Sequence, residues 1–314
     1  MKNVVVLGGG TGLSNLLSGL KLFPVRVTAI ISVADNGSST GVLKREMSIP
    51  AVGDIGKVML TMSNANKDLI DLLSYRFDAP SLENHPIRNI LLAALIEQKG
   101  NLTDSIDFMC RLLKINGRIL PITEEKVELV GLMEDGKNII GEENITKYNK
   151  RIDKLFYDRD FEVNKEVIKS IKNADLIIIS PGSLFTSIMP HLIIDEIKDV
   201  INESHAKKMY ISNLFTQPGE TDNFKVSDHL KILKKYIDID VVIANDKKIP
   251  NKTAKKYETE EQKDQVKIDK REIEKLNCKL ISDKLYTFSK SDGTIKHDSL
   301  KTSYLIFSYI MDEV

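Results

Sequence analysis

The chain has 314 residues, 42% of them apolar, with 45 basic side chains against 45 acidic ones and two cysteines. The zero formal charge argues against nucleic acid or an anionic membrane as the main partner, and Cys110 and Cys278 are too few and too far apart for a zinc site or a disulfide framework. The apolar fraction can build the core of one large α/β domain, and no apolar run approaches the ~20 residues of a membrane span. With no signal-like segment before the first strand and two buried thiols expected, the reading is a cytoplasmic protein.

Asn3 to Leu7 is a short β-branched run suited to a buried parallel strand, and it runs into GGGTG, Gly8 to Gly12, where a helix should begin. Glycines let a backbone approach an anion, and a helix start offers unpaired N–H groups and a favourable dipole, so this turn reads as a phosphate site. It is not a dinucleotide fingerprint: counted from Gly8 the sixth place is Leu13, and counted from Gly10 it is Asn15. Nor is it a P-loop, because no lysine follows Gly12. After Ile30 and Ile31, where the next strand of a βαβ unit should end, come Asp35, Asn36, Ser38 and Ser39, a second polar turn at the same sheet edge.

A third small-residue turn, Ala51 to Asp54, places a carboxylate at the expected N-cap of the following helix. Asp68 to Phe77, Pro86 to Gln98 and Leu102 to Lys114 carry helical apolar spacing, with Arg88 and Asn89 in the first turn of the second. Arg118 to Phe156 changes texture, with short β-like pieces between charged turns. It reads as a β-rich excursion beside the main sheet, a flap or an oligomer contact, which would make a homodimer. Its charges read as a solvated face.

The α/β pattern resumes with the strand Ala174 to Ile179 and the turn Ser180 to Ser183, where Ser183 and Thr186 offer hydroxyls at a helix start. Lys208 to Ser212 gives a further strand followed by NLFTQPGET, which crowds Asn213, Thr216 and Gln217 at a strand end, and Thr221 and Asp222 read as caps of the helix Val226 to Tyr236. Ile239 to Ala244 reads as the last clear strand. The Lys/Glu-rich stretch from Asp246 to Lys275 reads as a surface helix with links, and Ser299 to Met311 as a final packed helix. The expected fold is a Rossmann-like, doubly wound, mostly parallel sheet in a single domain spanning residues 1–314.

No nucleophile and base stand in a recognisable pattern, and the histidines at 85, 191, 205, 229 and 297 lack metal spacing. What recurs is donors at helix starts plus two carboxylates, Asp35 and Asp54. That combination suits a nucleotide diphosphate, with a divalent ion such as Mg²⁺ as the one cofactor it admits, bridging those carboxylates to phosphate oxygens.

Seven segments carry a resemblance: GGGTGLS from Gly8, VADNGSSTG from Val33, GDI from Gly53, NILLAAL from Asn89, NGRILPIT from Asn116, ADLIIISPGSLFTSIMPHL from Ala174 and NLFTQPGET from Asn213. In this order they resemble the YvcK-like gluconeogenesis factors, a family within the CofD-like (2-phospho-L-lactate transferase) superfamily. The resemblance implies a cytoplasmic bacterial protein that binds UDP-sugars such as UDP-N-acetylglucosamine. It also implies a regulatory role in growth on gluconeogenic carbon sources, cell shape and wall synthesis, through a cell-wall or metabolic protein partner and without an established reaction. The transferase relatives join a nucleotide-activated 2-phospholactate to a deazaflavin with a divalent metal, which is the alternative function.

By the same resemblance, Gly9, Gly10, Thr11, Gly12, Asp35, Asn36, Ser38, Asp54, Asn89, Gly182, Ser183, Thr186, Asn213, Thr216 and Gln217 line the nucleotide cleft. The segments KKY and IKHD add Tyr257 and Lys296 as UDP-sugar contacts. The chain departs from the family pattern in three places. Gly56 and Lys57 stand where GDIRN is usual, Arg88 precedes Asn89 where GN is usual, and Lys296 replaces an arginine, keeping charge but losing the bidentate fork.

Overall fold

The computed structural model describes residues 1–78, 82, 84–289 and 293–313, with the side chains of residues 38 and 313 outside the description. The elements follow in the order β1 (Asn3–Gly8), α1 (Gly10–Leu20), β2 (Arg26–Ile31), α2 (Ser38–Glu46), α3 (Gly53–Met62), α4 (Lys67–Ser74), α5 (Ile87–Lys99), α6 (Leu102–Leu112) and β3 (Arg118–Pro121). Next come β4 (Leu129–Met133), β5 (Asn138–Ile140), α7 (Glu142–Tyr148), β6 (Ile152–Tyr157), α8 (Lys165–Lys172) and β7 (Leu176–Ile179). A π-helical turn, Leu184–Ile188, then leads into α9 (Met189–Leu192), α10 (Asp195–Glu203), β8 (Lys207–Ile211), α11 (Val226–Leu233) and β9 (Val241–Asn245). The chain closes with α12 (Asn251–Glu261), α13 (Lys270–Lys275), β10 (Lys279–Asp283), the hairpin β11 (Tyr286–Phe288) and β12 (Ile295–His297), and α14 (Ser299–Glu313).

Seven strands form one parallel sheet in the order β10-β9-β8-β7-β1-β2-β3. The central strands are the ones a parallel sheet demands. Val4 to Leu7, Leu176 to Ile179 and Val241 to Ala244 are apolar on both faces and lie within a few per cent of full burial. From β1 the sheet grows through β2 to β3, and it restarts on the other side of β1 with β7. That reversal puts a crevice outside the carboxyl ends of β1 and β7, where open α/β sheets bind ligands. The doubly wound reading therefore holds. On one face α1 lies close against α14: a side chain on Gly19 would overlap the Ser299 carbonyl, so the helix contact runs over bare backbone.

Two expectations about the sheet change. Arg118 to Pro121 does not belong to the excursion: it pairs in parallel with Thr28 to Ile31 as the edge strand β3. The β-rich unit proper is the antiparallel sheet β5-β4-β6 with α7, from Leu129 to Tyr157. Nor is β9 the last strand, because Lys279 to Asp283 adds β10 beside it. Its polar, part-exposed composition is what an edge position allows, and it hid the strand among lysines.

Most of the excursion's charges are solvated, as expected, but Glu128 is drawn in to a buried lysine of α2. Lys44 is buried to 1% exposure, donates to the carbonyls of Ala34 and Val127, and pairs with Glu128 at 3.0 Å. Burial lowers its pKa and the Glu128 carboxylate opposes that. This pair ties α2 to the excursion. Asn36 makes a second tie, its Oδ1 accepting from the Glu143 N–H at 3.0 Å at the start of α7. Tyr157 Oη, donating to the Pro190 carbonyl at 2.8 Å, makes a third. Together they carry α7 over the crevice.

Candidate ligand-binding site

The crevice begins where two strand ends meet. Gly10 adopts a left-handed backbone, φ 65°, and its N–H donates to Asp54 Oδ2 at 2.6 Å. Across from it Gly12 touches the β7 turn so closely that a Cβ would overlap the Pro181 carbonyl, while a Cβ on Gly9 would come within 2.8 Å of Asp54 Oδ2. The β7 turn is fixed in its turn by Asn213, whose Nδ2 donates to the Gly182 carbonyl at 2.7 Å and whose Oδ1 accepts from the Gly182 N–H at 3.2 Å. Ser183 caps the π-helical turn by accepting from the Thr186 N–H at 3.0 Å, and its hydroxyl donates to Glu220 in a short hydrogen bond.

Asp54 does not cap its own helix. The N-cap of α3 is Val52, without a side-chain bond, and Asp54 lies in the first turn with its carboxylate between the Gly10 N–H and Lys57 Nζ at 3.0 Å. The acid of the third turn thus occupies one of the N–H donors of the first. Thr221 and Asp222 are likewise not caps of α11, whose N-cap is Lys225. Thr221 Oγ1 accepts from the Gln217 N–H at 2.8 Å and Asp222 from the Gly219 N–H at 2.8 Å, closing their own turn.

The open space at the crevice has two lobes, of about 370 and 640 Å³, which share Thr11, Gly12, Gly182, Ser183, Gln217 and Lys263. The larger lobe is acidic. Asp35 lines it, and burial followed by the Asp54 charge raises its pKa. Glu142, delivered by α7, is raised well above the usual range, first by burial and then by Asp35, Asp54 and Glu220. Burial also lifts Glu220, behind Ser183, to about 7. Carboxylates pressed together in this way are relieved by a proton or by a cation.

The donor chemistry fits the Mg²⁺ expected of Asp35 and Asp54. All the ligands on offer are hard oxygens, and Mg²⁺ commonly binds through one or two carboxylates with waters and substrate phosphates completing its octahedron. No three His, Cys, Asp or Glu side chains form a ready metal cluster among the described residues, so phosphate oxygens and waters would have to complete the shell.

The smaller lobe has different chemistry. Tyr257 on α12 is 8% exposed and stacks on Phe215, with ring centroids 4.3 Å apart and planes 16° from parallel. Its Oη accepts from the Ile295 N–H at 2.9 Å, which fixes β12 and so places Lys296 on the rim of the same lobe. Lys263 joins them, paired with Glu261 at 2.7 Å. Asn15, one turn into α1, donates to the His297 carbonyl at 2.7 Å and binds this wall to the glycine wall.

The structure thus brings Gly9, Gly10, Thr11, Gly12, Asp35, Gly182, Ser183, Thr186, Asn213, Thr216, Gln217, Tyr257 and Lys296 to one crevice. Asp54 stands directly behind its glycine turn. Asn36 serves as the α7 tie, the Ser38 side chain lies outside the described residues, and Asn89 faces a separate small cavity with Asp35 at its edge. Thr216 is buried, its Oγ1 accepting from the Asp264 N–H at 2.9 Å.

Sequence reasoning missed Phe215, Glu142, Lys263 and Asn15. Glu142 and Lys263 sit in charged stretches with no local signal of burial, whereas Asn15 carried one in its place on the first helix after the glycine turn. Two departures from the family pattern are a single feature in space. A Cβ on Gly56 would lie 3.1 Å from Arg88 Cδ, so the arginine stem fills the room that the glycine leaves. Two of the histidines are structural: His191 and His297 are pulled down to about 4 by burial and bond to main-chain carbonyls.

With this geometry in hand, comparisons with known proteins agree on one family. A family model described as 2-phospho-L-lactate transferase CofD matches residues 4–286. The gluconeogenesis factor of Bacillus subtilis is 38% identical, over 98% of this chain and 98% of its own, and that of Halalkalibacterium halodurans 38% identical, over 97% and 95%. The crystal structure of a UPF0052 family member from Bacillus halodurans superposes with a TM-score of 0.93 at 37% identity, covering 98% of this chain and 99% of that one. No described helix is long and apolar enough to cross a membrane. The chain belongs to the CofD-like gluconeogenesis factor family.

Proposed function

We propose that the protein is a nucleotide-sugar-binding regulator of carbon metabolism, taking UDP-N-acetylglucosamine or a close relative in the two-lobed crevice and linking its level to cell shape and wall synthesis. The single observation that supports this most is the pairing of unlike lobes. One lobe has the stacked Phe215–Tyr257 rings with Lys263 and Lys296, suited to a uracil face and a diphosphate. The other is polar and roomy enough for a sugar, with the Gly9–Gly12 and Gly182–Thr186 turns between them. Calorimetric titration with UDP-N-acetylglucosamine, UDP-glucose, GDP and NAD tests it. The expected result is saturable binding of the uridine compounds and none of NAD; heat from none of the uridine compounds overturns it.

A second reading has its own support in the acid cluster. Asp35 and Asp54 would hold Mg²⁺ against a nucleotide-activated phospholactate, with Glu142 adding negative charge nearby, so that charge neutralisation and positioning carry a phosphoryl-type transfer without a nucleophilic triad. Product from a guanylyl-activated phospholactate and a deazaflavin, dependent on Mg²⁺ and lost in Asp35→Ala, would favour this reading. An inert mixture removes it.

A further inference from the structure

The first turn of α5 holds an arginine that no carboxylate pairs with among the described residues. Arg88 is 7% exposed, and its Nε is buried without a hydrogen-bond partner among the described residues. Beside it Asn89 is 3% exposed, with its Oδ1 also unpartnered. The influences on the guanidinium are burial and then the like charge of Arg76, and both lower its pKa. A buried cation with no counter-charge is among the most costly arrangements in a fold, unless something outside the chain completes it.

Both side chains line a cavity of about 190 Å³ together with Lys57, Arg76, Ser39 and Asp35. Lys57 is held towards Asp54, and Arg76 Nη1 donates to the Asn84 carbonyl, so each cation is anchored by one contact. The Ser39 hydroxyl is positioned by His85 Nδ1 at 2.7 Å and by Asn89 Nδ2 at 3.4 Å. The cavity sits at the start of a 13-residue helix, whose dipole favours an anion there. Apart from Asp35 and Gly37 at its edge, it shares no lining residue with the two lobes of the crevice.

We propose that this cavity is a phosphate site: it takes inorganic phosphate or the head of a compact phosphomonoester in the guanidinium fork of Arg88, with Arg76 and Lys57 adding charge. The planar fork suits two phosphate oxygens, and the Ser39 hydroxyl lines the same cavity as a further polar contact. Gly56 is what lets the arginine reach this position, since a side chain there would press on its Cδ and Nε.

The test uses the full chain, with inorganic phosphate, glycerol 3-phosphate and malonate followed by calorimetry and by the shift in melting temperature. Phosphate or the monoester should bind saturably to the wild type, and the stronger of the two identifies the source. Arg88→Gln should weaken that binding by about 10-fold or more, the loss of one charge-assisted pair, while its ligand-free melting temperature stays level or rises because a buried charge has gone. Arg76→Gln should weaken binding by about 3-fold, as a rim charge does, and serves if the first variant fails to fold. No saturable phosphate binding, equal binding in wild type and both variants, or a preference for malonate would each overturn the proposal. Uridine-nucleotide titrations on the same variants read the other site, so either assignment can fail without the other.

Discussion

The two walls of the crevice are built by opposite means. The β1 and β7 wall is backbone: glycines bring main chain to within contact of main chain, and its polarity comes from N–H groups and from Asp54. The C-terminal wall is side chain, with two stacked rings and two lysines on elements that pair over short, separate registers. Backbone walls resist change because every atom there also belongs to the fold. Side-chain walls can change their ligand without disturbing the sheet. Within one family, the constant part of recognition should therefore lie in the first wall and the variable part in the second.

The largest expected effect attacks the first wall. Gly12→Ala drives a methyl into the Pro181 carbonyl, and because neither side is a flexible side chain it should lower stability by about 3 kcal/mol in urea denaturation, in the upper part of the overpacking range. Gly10→Ala has open space around it and suffers only the left-handed backbone, about 1 kcal/mol. If the two variants lose equal stability, the contrast between packing and conformation in this turn is wrong.

The second wall should answer through affinity instead. Tyr257→Ala removes the ring that stacks on Phe215 and should cut uridine-nucleotide affinity by about 10- to 100-fold, the usual worth of an aromatic platform under a base. Tyr257→Phe keeps the stack but leaves the Ile295 N–H without its acceptor, so it should lose about 1 kcal/mol of stability and little affinity. An unchanged affinity in the alanine variant would remove this wall from the ligand site.

Glu220 connects the walls through pH. Its folded pKa, about 7, lies above its ordinary 4.5, so between those values the folded protein binds more protons than the unfolded chain. Its contribution to stability is complete below about 4.5 and is lost as the pH rises past about 7. Glu220→Gln should therefore flatten the fall in melting temperature over that window and melt higher than wild type at pH 8. A slope that the substitution leaves unaltered would assign the fall to other groups. The smallest effect is expected from Lys296→Arg. Restoring a fork where a point charge stands should tighten a diphosphate ligand by roughly 3-fold in calorimetry, with the fold untouched.

Periodicity made the sheet legible. Strands such as VVVL and LIII can only be central, and the polar turns after them had to gather at one edge. Edge strands resisted the same reasoning: β10 is polar and part-exposed and looks like a loop among charges, whereas β3 was legible as a β-like piece but read into the excursion instead of the main sheet. The site was legible where donors follow strands, as at Gly9 to Gly12, Asp35 and Asn213. It was illegible where a residue arrives from a distant segment: Glu142 comes in on a helix that ties at Asn36, Lys44 and Tyr157 help bring over the crevice. Arg88 was visible as an odd residue, but that it fills the space beside Gly56 was not.

The sheet order also governs how the chain is made. Val4 pairs with Leu176, 172 residues further on, so one edge of β1 stays open until β7 leaves the ribosome. At about 5–20 residues per second, that leaves an apolar strand edge unpaired for roughly 10–35 s, with only β2 for company. The reversal of strand order that creates the ligand crevice therefore also makes the nascent N-terminal half the segment most in need of shelter during synthesis.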